Sequence, residues 1–248
     1  MSKRVEAINR VESLARKYFD GSGKFLEQTS DTGQSWEGSE LGDVPAKISR
    51  GELLKDANDL SEKNPREFFV RVMAWGYGPA NYAAFRTRRI LDWLPAPKDG
   101  KSGRLDSWLS QLRDVAEKKP HKSFEFLASA EGNVKYLGPA FSTKLLYFLS
   151  PPTNHLPILD SLVHQWLWSQ GVAFSAEPIE LDYDHADGYS RYIDFCDEVL
   201  THLRACEDLN IRLHAAHDRG FVEYLIFCDQ LRINSMRFLP NWIKSSSM

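Results

Sequence analysis

Asp160 is the residue whose type and setting most suggest chemistry. It follows the apolar, proline-marked run Leu156-Pro157-Ile158-Leu159 and precedes Ser161-Leu162-Val163, where a helix should begin. A carboxylate in that position has two uses. As an N-cap it accepts from backbone N–H groups two or three residues on. In a partly desolvated pocket it stabilises a developing positive charge, or polarises an attacking water or amine. The two are compatible, because capping would orient the carboxylate.

Some twenty residues before it, Asn133-Val134-Lys135-Tyr136-Leu137-Gly138-Pro139-Ala140 has the make-up of a turn between two helices. One helix should end near Ala130 and the next start around Pro139, since proline suits a first turn whose N–H would be unpaired anyway. Such a hairpin directs backbone N–H groups outward at the positive end of a helix dipole, which suits a phosphate oxygen. At Gly138 a Cβ would obstruct the close approach of such a ligand. Leu137, Gly138, Pro139 and Ala140 are therefore candidate phosphate contacts.

Together these segments resemble the helix-hairpin-helix superfamily of DNA glycosylases, in particular its bacterial 8-oxoguanine-glycosylase-like branch. That pattern is a hairpin L-x-G-h-G, a helix, then an apolar approach with proline to an Asp about twenty residues on. Here Leu137-Gly138 stands for the second half of the hairpin and Asp160 for the catalytic Asp. Two departures matter. The first hairpin Gly is absent, with Lys135 or Tyr136 in its place. The column in which bifunctional members carry a nucleophilic Lys holds Ala140, while Lys144, one helical turn later, is either a displaced substitute or an ordinary helix residue. A second stretch, Val72-Met73-Ala74-Trp75-Gly76-Tyr77-Gly78 followed by Arg86-Thr87-Arg88-Arg89, looks like the aromatic- and glycine-rich segment ahead of the hairpin in the same branch.

The resemblance implies an all-α fold of two helical lobes with the active-site cleft between them. It implies one domain over residues 1–248, with the hairpin at about 124–149 and the catalytic helix from about 160. The implied activity is excision of a base from DNA through an oxocarbenium-like state on the sugar, with no metal and no cofactor. Ala140 favours hydrolytic, monofunctional action; a lyase step through Lys144 is the alternative. An oxidised purine is the default substrate and a virus-type hypermodified base the second, so DNA repair and anti-phage defence are both roles to consider. A flipped base needs flat apolar walls, for which Trp75, Tyr77 and Tyr82 are candidates. Arg86, Arg88 and Arg89 are either phosphate contacts or a solvated helix face. Two rivals stand beside the enzyme: a helix-hairpin-helix DNA-binding module without catalysis, and an all-α interaction protein with a coincidental turn.

The elements that must position these residues are helices. Apolar residues recur at helical spacing over Arg4–Tyr18, and further helices are expected over Ile48–Asp59, Pro65–Trp75, Ala80–Leu94, Leu105–Lys118, Ser123–Ser129, Asp160–Gln170, Tyr189–Cys206 and Leu213–Asp229. Pro65 fits a first turn, Ser123 an N-cap, and Gly171 the end of a helix. The Gly- and Ser-rich stretch 21–42, the segment 172–187 and the Pro95-Ala96-Pro97 stop are expected to be irregular, and the last helix to give way to a tail near Pro240. Trp166 and Trp168 should pack in the core. An Arg219–Glu223 pair at i,i+4 explains the stretch from His214 and His217 onward better than a metal site does.

With 248 residues and 42% apolar content, the chain can bury a substantial core, and no run of roughly twenty apolar residues suggests a membrane span. The three cysteines, Cys196, Cys206 and Cys228, show no C-x-x-C pair and no evident His at ligand spacing, against a disulfide framework or a metal cluster. The expectation is an intracellular, cytoplasmic monomer, nucleoid-associated at most. The net charge of −3 is unevenly spread: thirteen Lys and Arg against six acids over residues 63–122, and thirteen acids against four Lys and Arg over 177–229. Such polarity offers DNA a basic face and keeps an acidic back.

Overall fold

The structure, a computed structural model, describes residues 2–18, 27–33, 36–60, 64–94, 104–152, 154–173, 186–206 and 218–237. Its architecture is all-α. Helix α1 (Lys3–Tyr18) buries Ala7, Val11, Leu14 and Ala15 along one stripe, as their spacing dictates. The order continues with β1 (Thr29–Asp31), β2 (Lys47–Ser49), α2 (Arg50–Asn58), α3 (Pro65–Tyr77), α4 (Ala83–Trp93) and α5 (Arg104–Lys118). After a 3-10 turn at Pro120–Lys122 come α6 (Ser123–Ala128), α7 (Pro139–Leu149), α8 (Ser161–Ser169), α9 (Ala186–Ala205) and α10 (Arg219–Arg237).

Helix α10 lies against α8, α9 and α1, whereas α3 lies against α2, α4, α5, α7 and the strand pair. The buried apolar side chains of all these helices form one cluster. Among the described residues no helix is long and apolar enough to cross a membrane.

Several local expectations are corrected. Ile48 does not open a helix: it pairs across the antiparallel β1–β2 ladder with Ser30, which lies in the stretch 21–42 expected to be irregular. The helix begins only at Arg50, because Ser49 and Glu52 close a reciprocal capping box. Ser123 is not an N-cap; the 3-10 turn precedes it, and its hydroxyl donates to the Pro120 carbonyl. Helix α4 starts at Ala83 and not at Ala80, and α9 starts at Ala186, inside the expected loop. The last helix runs from Arg219 to Arg237, past the expected end at Asp229, whose carboxylate instead accepts from the Trp166 indole inside the fold. Pro95-Ala96-Pro97, residues 174–185, His214, His217 and the tail at Pro240 lie outside the described residues. Trp166 is fully buried, as expected, and its indole N–H donates to Asp229 at 2.9 Å.

Candidate active site

The hairpin forms where the sequence suggests. Helix α6 ends at Ala128, and α7 begins with Pro139 at its first position after Gly138. Tyr136, not Lys135, takes the left-handed backbone conformation, with φ of 71°. That is the position of the missing first glycine, and a tyrosine holds the left-handed conformation there at a cost glycine would avoid. Gly138 has an ordinary φ of −78°, and a Cβ there would meet no atom of the described residues within 4 Å. The space in front of it is open to a ligand.

Helix α7 then turns Lys144 inward. Gly76 of α3 makes this possible: a Cβ there would stand 2.8 Å from the Phe141 ring and 2.9 Å from Lys144 Cδ. One hydroxyl ties α7 to the chain leading into α8. Thr143 Oγ1 accepts from the Leu159 N–H at 3.0 Å and donates to the Pro139 carbonyl at 3.0 Å. Asp160 follows directly. Its Oδ1 accepts from the backbone N–H of Leu162 and of Val163, both at 3.0 Å, so it is an N-cap of α8. Its other oxygen, Oδ2, lies 3.8 Å from Lys144 Nζ, with the two side chains 18% and 9% exposed. Capping thus fixes the carboxylate and leaves one oxygen facing the amine.

Both line a cleft of about 350 Å3 that also takes in Gln28, Thr29 and Ser30 of the first strand region, Trp75 and Tyr77 of α3, and Phe227 of α10. Its inner wall holds Arg50 and Glu223, 1% and 2% exposed and joined at 2.8 Å. The Arg50 guanidinium lies 5.4 Å from the Trp75 ring and 4.9 Å from the Tyr147 ring. Burial raises the Glu223 carboxyl above its ordinary range, with Arg50 pulling the other way. Burial likewise works against the Arg50 charge, but Glu223 and Tyr147 outweigh it and hold its pKa above the usual value. Three buried polar atoms of cleft-lining residues, Gln28 Oε1, Arg50 Nε and Trp75 Nε1, have no hydrogen-bond partner among the described residues. Such groups are costly unless something pairs them.

The remaining candidates are distributed differently. Tyr82 is not in the cleft lining; it is 53% exposed and meets Tyr77 edge-on, with centroids 5.9 Å apart. Arg88 pairs with Glu40 at 2.9 Å, while the Arg86 and Arg89 guanidinium groups sit over aromatic rings. The expected Arg219–Glu223 pair does not form. Glu223 points into the interior and needs a buried cation, which Arg50 supplies, whereas Arg219 forks onto Asp197 of α9 with two bonds of 2.7 Å. Sequence reasoning missed Arg50 altogether, because its partner lies 173 residues away and nothing local marks the pair. The reading of the cysteines also needs correction. His202 precedes Cys206 by one helical turn, and with Glu12 they bring three potential donor atoms within 4.8 Å of one another.

A mostly helical chain in which a hairpin feeds a helix facing a capped carboxylate has the layout of the helix-hairpin-helix glycosylase class. The family model described as "Putative 8-oxoguanine DNA glycosylase OGG-like protein" matches residues 24–227, and the chain belongs to that family. No curated protein and no solved structure gives a significant match.

Proposed function

We propose that this protein is a DNA glycosylase that excises a damaged or modified base and leaves an abasic site, in DNA repair or anti-phage defence. The observation that carries the reading is the Asp160–Lys144 juxtaposition in a cleft walled by aromatic side chains, one helix away from the hairpin. As the N-glycosidic bond breaks, the sugar becomes cationic, and the free oxygen of Asp160 stabilises it. Trp75, Tyr77 and Phe227 give the flipped base flat apolar surface. The unpaired Gln28 Oε1, Arg50 Nε and Trp75 Nε1 offer one acceptor and two donors for its edge. An oxidised purine is the first substrate class to try, and a virus-type hypermodified base the second.

Hydrolytic release, with Asp160 polarising a water, is the first route, since Ala140 stands where a nucleophilic lysine would be. The 3.8 Å approach of Lys144 favours a second route. There its amine attacks the sugar C1′ and the base leaves with the bonding electrons; an amine proton then passes to O4′ as the C1′–O4′ bond opens, giving a Schiff base. Borohydride decides between them: a trapped adduct that disappears in Lys144→Ala selects the second route, and no adduct selects the first.

The test of the function itself is single-turnover incubation with DNAs carrying different modified bases, with released base detected by mass spectrometry. Asp160→Asn keeps a cap oxygen, so its stability loss stays near 1 kcal/mol or less. Its excision rate is expected to fall by roughly a thousandfold or more, about 4 kcal/mol of barrier. Excision within tenfold of wild type would show that Asp160 is not catalytic, and DNA binding with no released base from any substrate would favour the non-catalytic module.

A further inference from the structure

Five large apolar or aromatic side chains stand out as exposed among the described residues, and three of them lie together. Tyr82 and Phe85, 53% and 63% exposed, project from the start of α4, and Tyr136, 48% exposed, projects from the hairpin turn. Helical spacing explains the first two. Positions 82, 85, 86 and 89 share one face of α4, while Ala83, Thr87, Ile90 and Leu91 fill the opposite, buried face.

Each exposed ring is accompanied by a cation. Arg86 lies 4.7 Å from the Tyr82 centroid, and Arg89 lies 4.0 Å from Tyr136 and 5.8 Å from Phe85. Lys135 Nζ lies 5.1 Å from Tyr136. The nearest acid along α4 is Asp92, three residues beyond Arg89, and among the described residues no ion pair joins the two. The face is also continuous with the cleft. Tyr82 meets Tyr77, and Tyr77 lies 4.0 Å from Phe141 at a tilt of 34°, beside Lys144. Flat rings with positive charges between them complement a partner that is flat and anionic by turns. Nucleic acid answers that description; a duplex does so poorly, because its bases already cover one another's faces.

We infer that the α4–hairpin face, centred on Phe85 and Tyr136, is a stacking platform for unpaired bases of a DNA strand whose phosphates meet Arg86, Arg89 and Lys135. The inference rests on the DNA-glycosylase reading for its relevance and extends it to the state of the substrate. The protein would hold bases freed from pairing beside the extruded one, and single-stranded DNA would be a ligand in its own right.

The test uses the full chain and unmodified DNA, so that it is independent of any excision. Equilibrium binding is measured by fluorescence anisotropy with a labelled single strand and with the matched duplex, across a salt series, for wild type, Phe85→Ala and Arg86→Gln. Wild type should bind the single strand more tightly than the duplex. Loss of a stacked ring is worth about 1–3 kcal/mol, so Phe85→Ala should weaken single-strand binding by roughly 5- to 150-fold and duplex binding by less than threefold. Its salt slope should not change, because no phosphate contact is lost, whereas Arg86→Gln should lower the slope by about one. Equal weakening on both forms, or unchanged single-strand affinity in Phe85→Ala, overturns the platform. Alanine is a good helix former at this exposed site, so the fold should survive, and circular dichroism checks it. Wild type that excises a base yet shows no single-strand preference sinks this inference alone. Wild type that stacks single strands yet excises nothing sinks the glycosylase reading alone.

Discussion

Two arginines of this molecule sit between aromatic rings, and their surroundings are opposite. Arg50 is buried, 5.4 Å from Trp75 and 4.9 Å from Tyr147, and is paired with Glu223. Arg89 lies at the surface, 4.0 Å from Tyr136 and 5.8 Å from Phe85, and among the described residues it forms no ion pair. A buried charge without a counter-charge is prohibitively costly, so Arg50 commits its charge to Glu223. Its Nε, buried and without a hydrogen-bond partner among the described residues, is left to offer a ligand. An exposed guanidinium is solvated and owes nothing to the fold. Arg89 can spend its charge on a phosphate. The same pair of residue types therefore builds the wall of a cleft in one place and an exposed aromatic and cationic face in the other.

Removing each arginine is the sharpest way to break that comparison. Arg50→Met leaves Glu223 buried and unpaired, and urea unfolding should report a loss of about 3–5 kcal/mol. The double substitution Arg50→Met/Glu223→Leu should recover most of it, because the pair as a whole contributes little beyond its own desolvation. Arg89→Met should cost within about 0.5 kcal/mol. Equal losses at the two sites would show that the surface cluster is structural.

A smaller effect tests whether the cleft depends on close packing while the surface face does not. The Cβ of Gly76→Ala meets Phe141 and Lys144 below 3 Å, so both must shift. Displacing Lys144 by a fraction of an ångström to an ångström is expected to slow excision by roughly ten- to a hundredfold. Single-strand affinity, measured by anisotropy, should stay within about twofold. A variant that binds less and cuts normally would reverse the assignment of the two regions.

The mildest prediction concerns pH. Asp229, with a fully buried side chain, faces Arg10 at 2.6 Å, Trp166 and Arg232. Burial alone would raise its pKa, but hydrogen bonds from those three partners outweigh it and hold the group below the ordinary carboxylate range. A folded pKa below the unfolded value of about 3.9 means stability that is present above that value and lost as pH falls through the folded pKa. Comparing urea midpoints at pH 7 and in the acid range should give a steeper decline for wild type than for Asp229→Asn. Parallel declines would show that Asp229 does not carry the acid sensitivity.

The hairpin, the start of α7 at Pro139 and the cap at Asp160 were legible in the sequence because each is decided within a few residues. Proline, glycine and a capping carboxylate act on neighbouring backbone, and helical spacing marks the buried stripes of α1, α3 and α4. The error at Glu223 has the same root. Read locally, Arg219 four residues earlier is its natural partner, and no pattern reveals that Glu223 faces the interior.

What the sequence determined by itself is therefore the helical class, the turn that ends in Pro139 and the N-cap at Asp160. The tertiary structure alone decided the rest. It brought Lys144 to 3.8 Å from Asp160 through the space at Gly76, joined Arg50 to Glu223 across 173 residues, and left Phe85 and Tyr136 exposed on one face. The reason is physical: local preferences fix backbone, whereas the partner of a charge is fixed by which groups are desolvated together, and only packing decides that.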